Sequence, residues 1–316
     1  MKNTKKPRNK HLRKKPVRFS LSRLILIAIL LITAPLSYAG FFDVSPGKSG
    51  AAFMRVTLSA RKLAIGGGGT ALRGADFIET NPAALYDEPT SLQFSHLMYF
   101  DSLSLNDAKF TFSVESADSY GVGSINNFLC LGLRSFSSDE DRRDMLTGVK
   151  TGSFGISARS IFLSYAFLSG DYTAGLTVKN ITESMDSNLS SAAAFDAGVI
   201  KDINENLSLG ASAKNIGKKI SESPLPLTAS AGFAYRFDEF TINGDIEKTS
   251  EENKLLATGI ECKMAPLLLR GGLSYQDILR PSMGFGAVYN NFILDYAFSF
   301  HKYLGQSHLF TLTAKF

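Results

Sequence analysis

The chain of 316 residues contains no tryptophan, two cysteines and four histidines. Cys130 and Cys262 are too few for a disulfide framework. His11, His96, His301 and His308 show no metal-ligand spacing. A Gly-x-Ser-x-Gly nucleophile elbow is missing as well. The expectation is therefore no catalytic residue, no metal and no cofactor. Beyond residue 32 no run reaches 18 apolar residues, which excludes further helical membrane spans. A basic patch interleaved with aromatics is also lacking, so no nucleic-acid partner is expected.

What is present begins with ten Lys and Arg between Lys2 and Arg23, without an acid among them. The apolar run Leu24–Ile32, Pro35 and then Ser37-Tyr38-Ala39 follow. That order is the n-, h- and c-region of a secretory signal, expected to be cleaved near Ala39. The apolar run is shorter than the roughly 20 residues of a spanning helix, although a retained anchor is the alternative. Without those ten residues Lys and Arg fall from 34 to 24 against 29 Asp and Glu, and the balance turns from +5 to −5.

From Ser91 onward the chain breaks into segments of about ten residues with two-fold alternation, punctuated by Gly, Asn, Asp, Ser and Pro. Phe292, Leu294, Tyr296, Phe298 and Phe300 share one face, with Asp295 and Ser299 opposite. Pro226–Phe237, Asn206–Asn215, Asp171–Asn180 and Ala108–Glu115 obey the same rule. Strands are expected near 91–100, 107–116, 127–136, 158–168, 171–181, 192–202, 206–216, 226–237, 239–248, 254–264, 267–276, 280–289, 291–301 and 307–316. Fourteen is an even number, as in bacterial outer-membrane barrels, whose strands are apolar outward and polar inward. In lipid a sheet must close on itself, because a free edge finds no water there. A β-sandwich also alternates, but its polar face meets water and favours long charged residues. Here the polar face is rich in Gly, Ser, Thr and Ala, which suits a crowded lumen. The fold class is thus all-β: a closed antiparallel transmembrane barrel of about 14 strands in the outer membrane of a diderm bacterium. In these phases Cys130 faces inward and Cys262 faces lipid, so the two should be unpaired thiols.

Lacking Trp, the interfacial girdles would fall to Tyr86, Tyr99, Tyr165, Tyr172, Tyr235, Tyr289 and Tyr296. The closing strand carries Phe310, Leu312, Ala314 and Phe316 on one face. A terminal Phe on an alternating strand resembles the signal read by the barrel-assembly machinery, a partner expected beside outer-membrane lipid.

Residues 40–90 do not alternate. Gly50–Leu63 reads as a short amphipathic helix or turn, followed by Gly66, Gly67, Gly68 and Gly69 and then by Asn81-Pro82-Ala83. Four glycines permit positive φ and close backbone approach. A phosphate cradle is excluded, because no Lys-Ser/Thr pair completes it; Gly47-Lys48-Ser49 imitates the end of a P-loop, but Phe42 stands where its first glycine belongs. Packing of a small N-terminal plug against the barrel wall explains the run better. The division is then a signal over 1–39, a hatch over 40–90 and a barrel over 91–316.

The run from Ala51 to Leu85 resembles the N-terminal signature of the PorV/PorQ family, through Ala51-Ala52-Phe53, Ala60-Arg61, Ile65-Gly66-Gly67 and Asn81-Pro82-Ala83-Ala84-Leu85. Ile65 departs from the usual Met, and Glu79-Thr80 from the common Tyr/Trp-x. Later stretches that resemble the family include Leu176–Ile181, Asn215-Ile216-Gly217 and Leu294–Phe298. The resemblance implies a FadL-like barrel of fourteen strands whose hatch bears Asn-Pro-Ala. It also implies a non-enzymatic part in secretion or surface assembly, with a translocon and its cargo as partners. The alternative is passive transport of hydrophobic small molecules.

The inward phase carries Lys109, Glu115, Arg134, Lys179, Asp196, Lys214, Arg236, Asp245, Glu247, Glu261, Lys263, Arg270 and Asp295. They describe either a selective charged passage or a self-neutralising network bracing a plugged lumen; mixed signs in near balance favour the network. The longest connections are expected at Ser137–Ser157 and Thr182–Ser191, leaving little loop material for an external docking groove.

Overall fold

A computed structural model describes residues 49–316 except 100–102, 118–123, 170, 187, 251 and 304; the side chains of residues 99, 115–117, 124–126, 139, 140 and 169 also lie outside the described set. The signal with its cleavage point at Ala39, and residues 40–48 of the expected hatch, fall outside it. The two-residue period is realised as fourteen strands. They are β1 Ser91–Tyr99, β2 Leu103–Ala117, β3 Ser124–Arg143, β4 Lys150–Ser169, β5 Tyr172–Met185, β6 Asn188–Asp202 and β7 Leu207–Gly217. There follow β8 Thr228–Phe237, β9 Phe240–Thr249, β10 Leu255–Met264, β11 Leu267–Tyr275, β12 Leu279–Tyr289, β13 Phe292–His301 and β14 Gly305–Lys315. Each pairs antiparallel with its chain neighbour, and β1 pairs with β14, so the sheet closes into a barrel. His96 sits opposite Phe310 on one side and Asn106 on the other. Closure removes the free edges that hydrocarbon would not tolerate.

The connections divide the barrel into two ends. At one end, where β1 starts and β14 finishes, Asp238-Glu239 and Asn290-Asn291 turn the chain in two residues. Asp238 and Asn290 adopt φ of 47° and 51°, the left-handed backbone that a tight hairpin demands. The opposite end carries the longer connections, among them residues 144–149 and 218–227. These are the turn end and the loop end.

The outward phase supplies an apolar band: Leu131, Ile161, Leu176, Phe233, Leu269 and Phe310 each leave 41–55% of their surface uncovered. So much contiguous apolar surface requires hydrocarbon. The inward phase is small and polar, and it bonds across strands: Ser91 to Thr111 at 2.6 Å, Ser164 to Thr177 at 2.7 Å and Ser95 to Thr311 at 2.9 Å. Cys130 is buried on this face, Cys262 lies on the outer one, and both are free thiols.

Three expectations are corrected. First, Ser137–Ser157 and Thr182–Ser191 are not long loops. β3 runs to Arg143 and β4 starts at Lys150, while β5 and β6 are separated by two residues. Strands β2 to β6 hold 14 to 20 residues, against 9 to 11 in β7 to β14, so one side of the barrel is taller. Beyond Leu133 and before Ile161 the outward residues are Ser135, Ser137, Ser157 and Arg159, so this extension clears the apolar band and loses the alternation by which it could be read. Secondly, Tyr86 is no girdle residue; it packs inside, edge-on to Phe128 at 5.0 Å, with the Arg73 guanidinium over its ring. Thirdly, Gly50–Leu63 divides into a 3-10 turn, Ala52–Arg55, and a five-residue helix α1, Ala60–Ala64.

Residues 49–90 lie against inward faces of the barrel. Ser59 caps α1 by accepting from the Lys62 amide. The helix then docks on the wall: Ala60 N–H donates to Thr311 Oγ1 at 3.0 Å and Gly66 N–H to Ser282 Oγ at 3.1 Å.

Candidate functional site

The glycine run fits the wall because both sides lack side chains. Gly66 has φ 84° and Gly69 φ 121°, backbone that other residues rarely adopt. A Cβ on Gly66 would come within 2.6 Å of the Leu273 carbonyl oxygen, and one on Gly69 within 2.4 Å of the Phe77 ring. The wall answers in kind. A Cβ on Gly272 would meet the Gly66 nitrogen at 2.1 Å, and one on Gly259 the Ile65 backbone at 2.5 Å. The Asp245 carboxylate completes the seat by accepting from the Gly69 and Thr70 amides at 2.9 and 2.7 Å.

Asn81-Pro82-Ala83 forms a second seat. Asn81 Oδ1 accepts from the Ala83 amide at 3.0 Å and caps the 3-10 turn Pro82–Leu85, where proline at the first position forfeits no hydrogen bond. Its Nδ2 donates to the Thr70 carbonyl at 2.8 Å and to that of Val199 on β6 at 3.1 Å. Gly175 of β5 lies directly beneath, where a Cβ would meet the Ala83 nitrogen at 2.3 Å.

Most of the inward charges are paired, some with groups the segment brings and some across the wall. Arg61 forks onto Glu261 at 2.8 and 2.9 Å, and Glu261 also accepts from Arg270, which reaches Asp295 at 2.5 Å. Glu79 takes Lys109 at 3.0 Å and Arg134; Lys109 also holds Asp107 at 2.7 Å. Burial by itself would raise the Glu79 carboxyl, but Arg134 and Lys109 hold it well below the usual range. Lys179 pairs with Asp196 at 2.6 Å, and Lys214 with Glu247 at 3.0 Å. Arg236 donates to Ser208 at 2.9 Å. Lys263 has no ion pair or hydrogen bond from its amine among the described residues, and the Glu115 side chain lies outside the described set. The candidate lumen charges thus form a network, as mixed signs in confined space require. Sequence reasoning missed the segment's own Arg61, Asp76 and Glu79, because nothing in an aperiodic stretch says which side chains meet the wall.

Two cavities open near the loop end. One, of about 540 Å³, lies between the turn Ala52–Arg55 and the tall side, lined by Phe53, Val56, Leu103, Leu105, Phe136 and Ile156, with Arg55 and Glu183 among its polar groups. Beside it, sharing Ala52, Arg55 and Val56, a polar cavity of about 320 Å³ is lined by Lys62, Glu79, Lys214 and Glu247. Burial pushes the Lys62 amine down to about 8. A third hollow, of about 880 Å³, opens at the turn end.

Solved structures similar to this chain include two hydrocarbon channels. The toluene transporter TodX of Pseudomonas putida superposes with a TM-score of 0.56 at 12% identity, covering 86% of this chain and 98% of that one. The monoaromatic hydrocarbon channel CymD gives 0.63 at 12% identity, covering 83% and 98%. At this identity the likeness establishes the fold alone, a closed barrel of fourteen antiparallel strands. No family model matches the chain, and no curated protein matches it. The resemblance to the PorV/PorQ family is therefore carried by the sequence motifs alone.

Proposed function

We propose that this chain is a non-enzymatic outer-membrane channel through which small apolar molecules, of monoaromatic size, pass down their gradient. The observation that carries this reading is the cavity of about 540 Å³ faced by Phe53, Val56, Leu103, Leu105, Phe136 and Ile156. Ligand pockets of this size and lining are the usual receptors for small apolar molecules. The fold shared with two hydrocarbon channels supports the same reading. With its loop end outward, the barrel would present the cavity to the exterior, and residues 49–90 would act as the hatch beneath it. A role in secretion has the sequence signature as its sole support, and the neighbours favour passage of small molecules over it.

Ala158 lines the cavity and is buried. In Ala158→Phe the added ring occupies the space a ligand would take. Purified protein in neutral detergent should bind N-phenyl-1-naphthylamine, and toluene should displace it. The variant should lose at least tenfold in apparent affinity while keeping heat-modifiable migration. Equal binding by both proteins, or none by the wild type, removes the reading.

A further inference from the structure

The turn-end hollow has a charge pattern that transport of neutral molecules does not use. Four cations line it: Arg61 and Arg73 from the inserted segment, Arg236 from β8 and Lys263 from β10. Two of them are already neutralised. Arg61 forks onto Glu261, and Arg73 donates to Asp202 at 2.8 Å and to Thr173 at 2.8 Å. The other two make no ion pair among the described residues. Arg236 donates to the Ser208 hydroxyl, which in turn donates to Asp202 at 2.6 Å, and Lys263 has no carboxylate within ion-pair distance.

Both sit on the inward phase of their strands, so their charges are directed at the hollow and away from the membrane surface. Arg236 lies opposite Thr241, which lies opposite Glu261, two residues before Lys263. With strands about 4.8 Å apart, the two Cα atoms are separated by roughly 10–12 Å, within joint reach of two long side chains. Three acids, Asp171, Asp202 and Glu205, are exposed and belong to the rim, and Asp202 is taken up by Arg73 and the Ser208 hydroxyl. Two inward cations without a carboxylate in ion-pair contact, set in a concave site, raise the local concentration of anions.

We propose that this hollow is an anion-binding site, with Arg236 and Lys263 holding one carboxylate or phosphate group between them and the Thr241 hydroxyl free to donate to it. Guanidinium and ammonium bonds to such a group are of the charge-assisted kind. The site is separate from the apolar cavity, and its test does not depend on the fate of the channel reading.

The test titrates the full processed chain in neutral detergent with inorganic phosphate and, separately, with acetate, by calorimetry at low salt. Saturable binding of either probe is expected, weakened at least tenfold in Arg236→Gln/Lys263→Gln. Phosphate alone binding would identify the anion as a phosphate; acetate alone would identify it as a carboxylate. Lys218→Gln/Lys219→Gln, which removes the same charge from the loop end, should leave the affinity unchanged. Absence of saturable binding to the wild type overturns the proposal, as does an equal loss in both double variants, which would mean net charge alone is responsible. Heat-modifiable migration of each variant verifies that the barrel is intact.

Discussion

The two sides of the barrel treat the inserted segment differently. Along the short side, from β7 to β14, the segment's backbone is set into wall glycines and held by Asp245, Ser282 and Thr311. Along the tall side it is seated near the turn end, where Pro82 and Ala83 lie against Gly175 and Asn81 against Gly198, but toward the loop end it stands off and leaves an apolar recess beneath Phe136 and Ile156. The tall side grips at one end and leaves room at the other. A barrel whose contents are gripped unequally has its adaptable space where the grip is absent.

The comparison is broken most forcefully at Gly272. In Gly272→Val the new side chain would overlap the Gly66 backbone, and a backbone obstacle gives way poorly; a loss above about 3 kcal/mol is expected. Midpoints of urea unfolding in detergent micelles measure it. Gly152 on the tall side has nothing within 4 Å of its would-be Cβ, so Gly152→Ala should leave the midpoint unchanged. Asp245→Ala comes next: it orphans the Gly69 and Thr70 amides and should cost about 2–3 kcal/mol in the same assay.

Lys62 faces the polar cavity, and there the sign reverses. Its amine titrates near 8 in the folded chain, against an ordinary 10.5, because burial disfavours the charge. The unfolded chain therefore binds more protons between those values, so wild-type stability is lowest below pH 8 and recovers as pH rises toward 10.5. Lys62→Met should accordingly stabilise the protein at pH 7 by about 1–2 kcal/mol once partial exposure is allowed for, and the gain should fade above pH 10. Unfolding midpoints at pH 7 and pH 10.5 decide it. The smallest effect belongs to the tall extension, where Arg142 and Asp186 form an exposed pair at 2.8 Å. Arg142→Ala should shift stability by less than about 0.5 kcal/mol, because water already solvates both charges.

How much of this could be read from the chain depended on where lipid imposes a period. Phe292, Leu294, Tyr296 and Phe298 announce their strand because hydrocarbon on one side and a polar lumen on the other leave each position one choice. The same logic put Asp295 and Arg270 on the inner face. It failed from Ser137 to Ser157, where both faces of the hairpin meet water and alternation loses its cause. It gave no partner for any charge: Lys179–Asp196, Lys214–Glu247 and Arg270–Asp295 pair by register across the wall, and the aperiodic segment brings Arg61 to Glu261 and Glu79 to Lys109. A usable signal went unread: Gly175, Gly198, Gly210, Gly259 and Gly272 all fall on the inward phase, and each lies against the segment's own backbone or the Asn81 side chain. The recess left no mark, because Phe53 and Phe136 look like any other apolar pair until the segment is placed.

The seam between β1 and β14 has a consequence for how such a molecule holds together. Residues 49–90 leave the lumen through Thr90, whose carbonyl accepts from the Phe316 amide at 2.8 Å, next to the first and last staves of the cask. The same closing stave also holds what lies inside, because Thr311 of β14 accepts from the Ala60 amide. A lesion in β14 would therefore loosen the contents of the molecule as well as its wall.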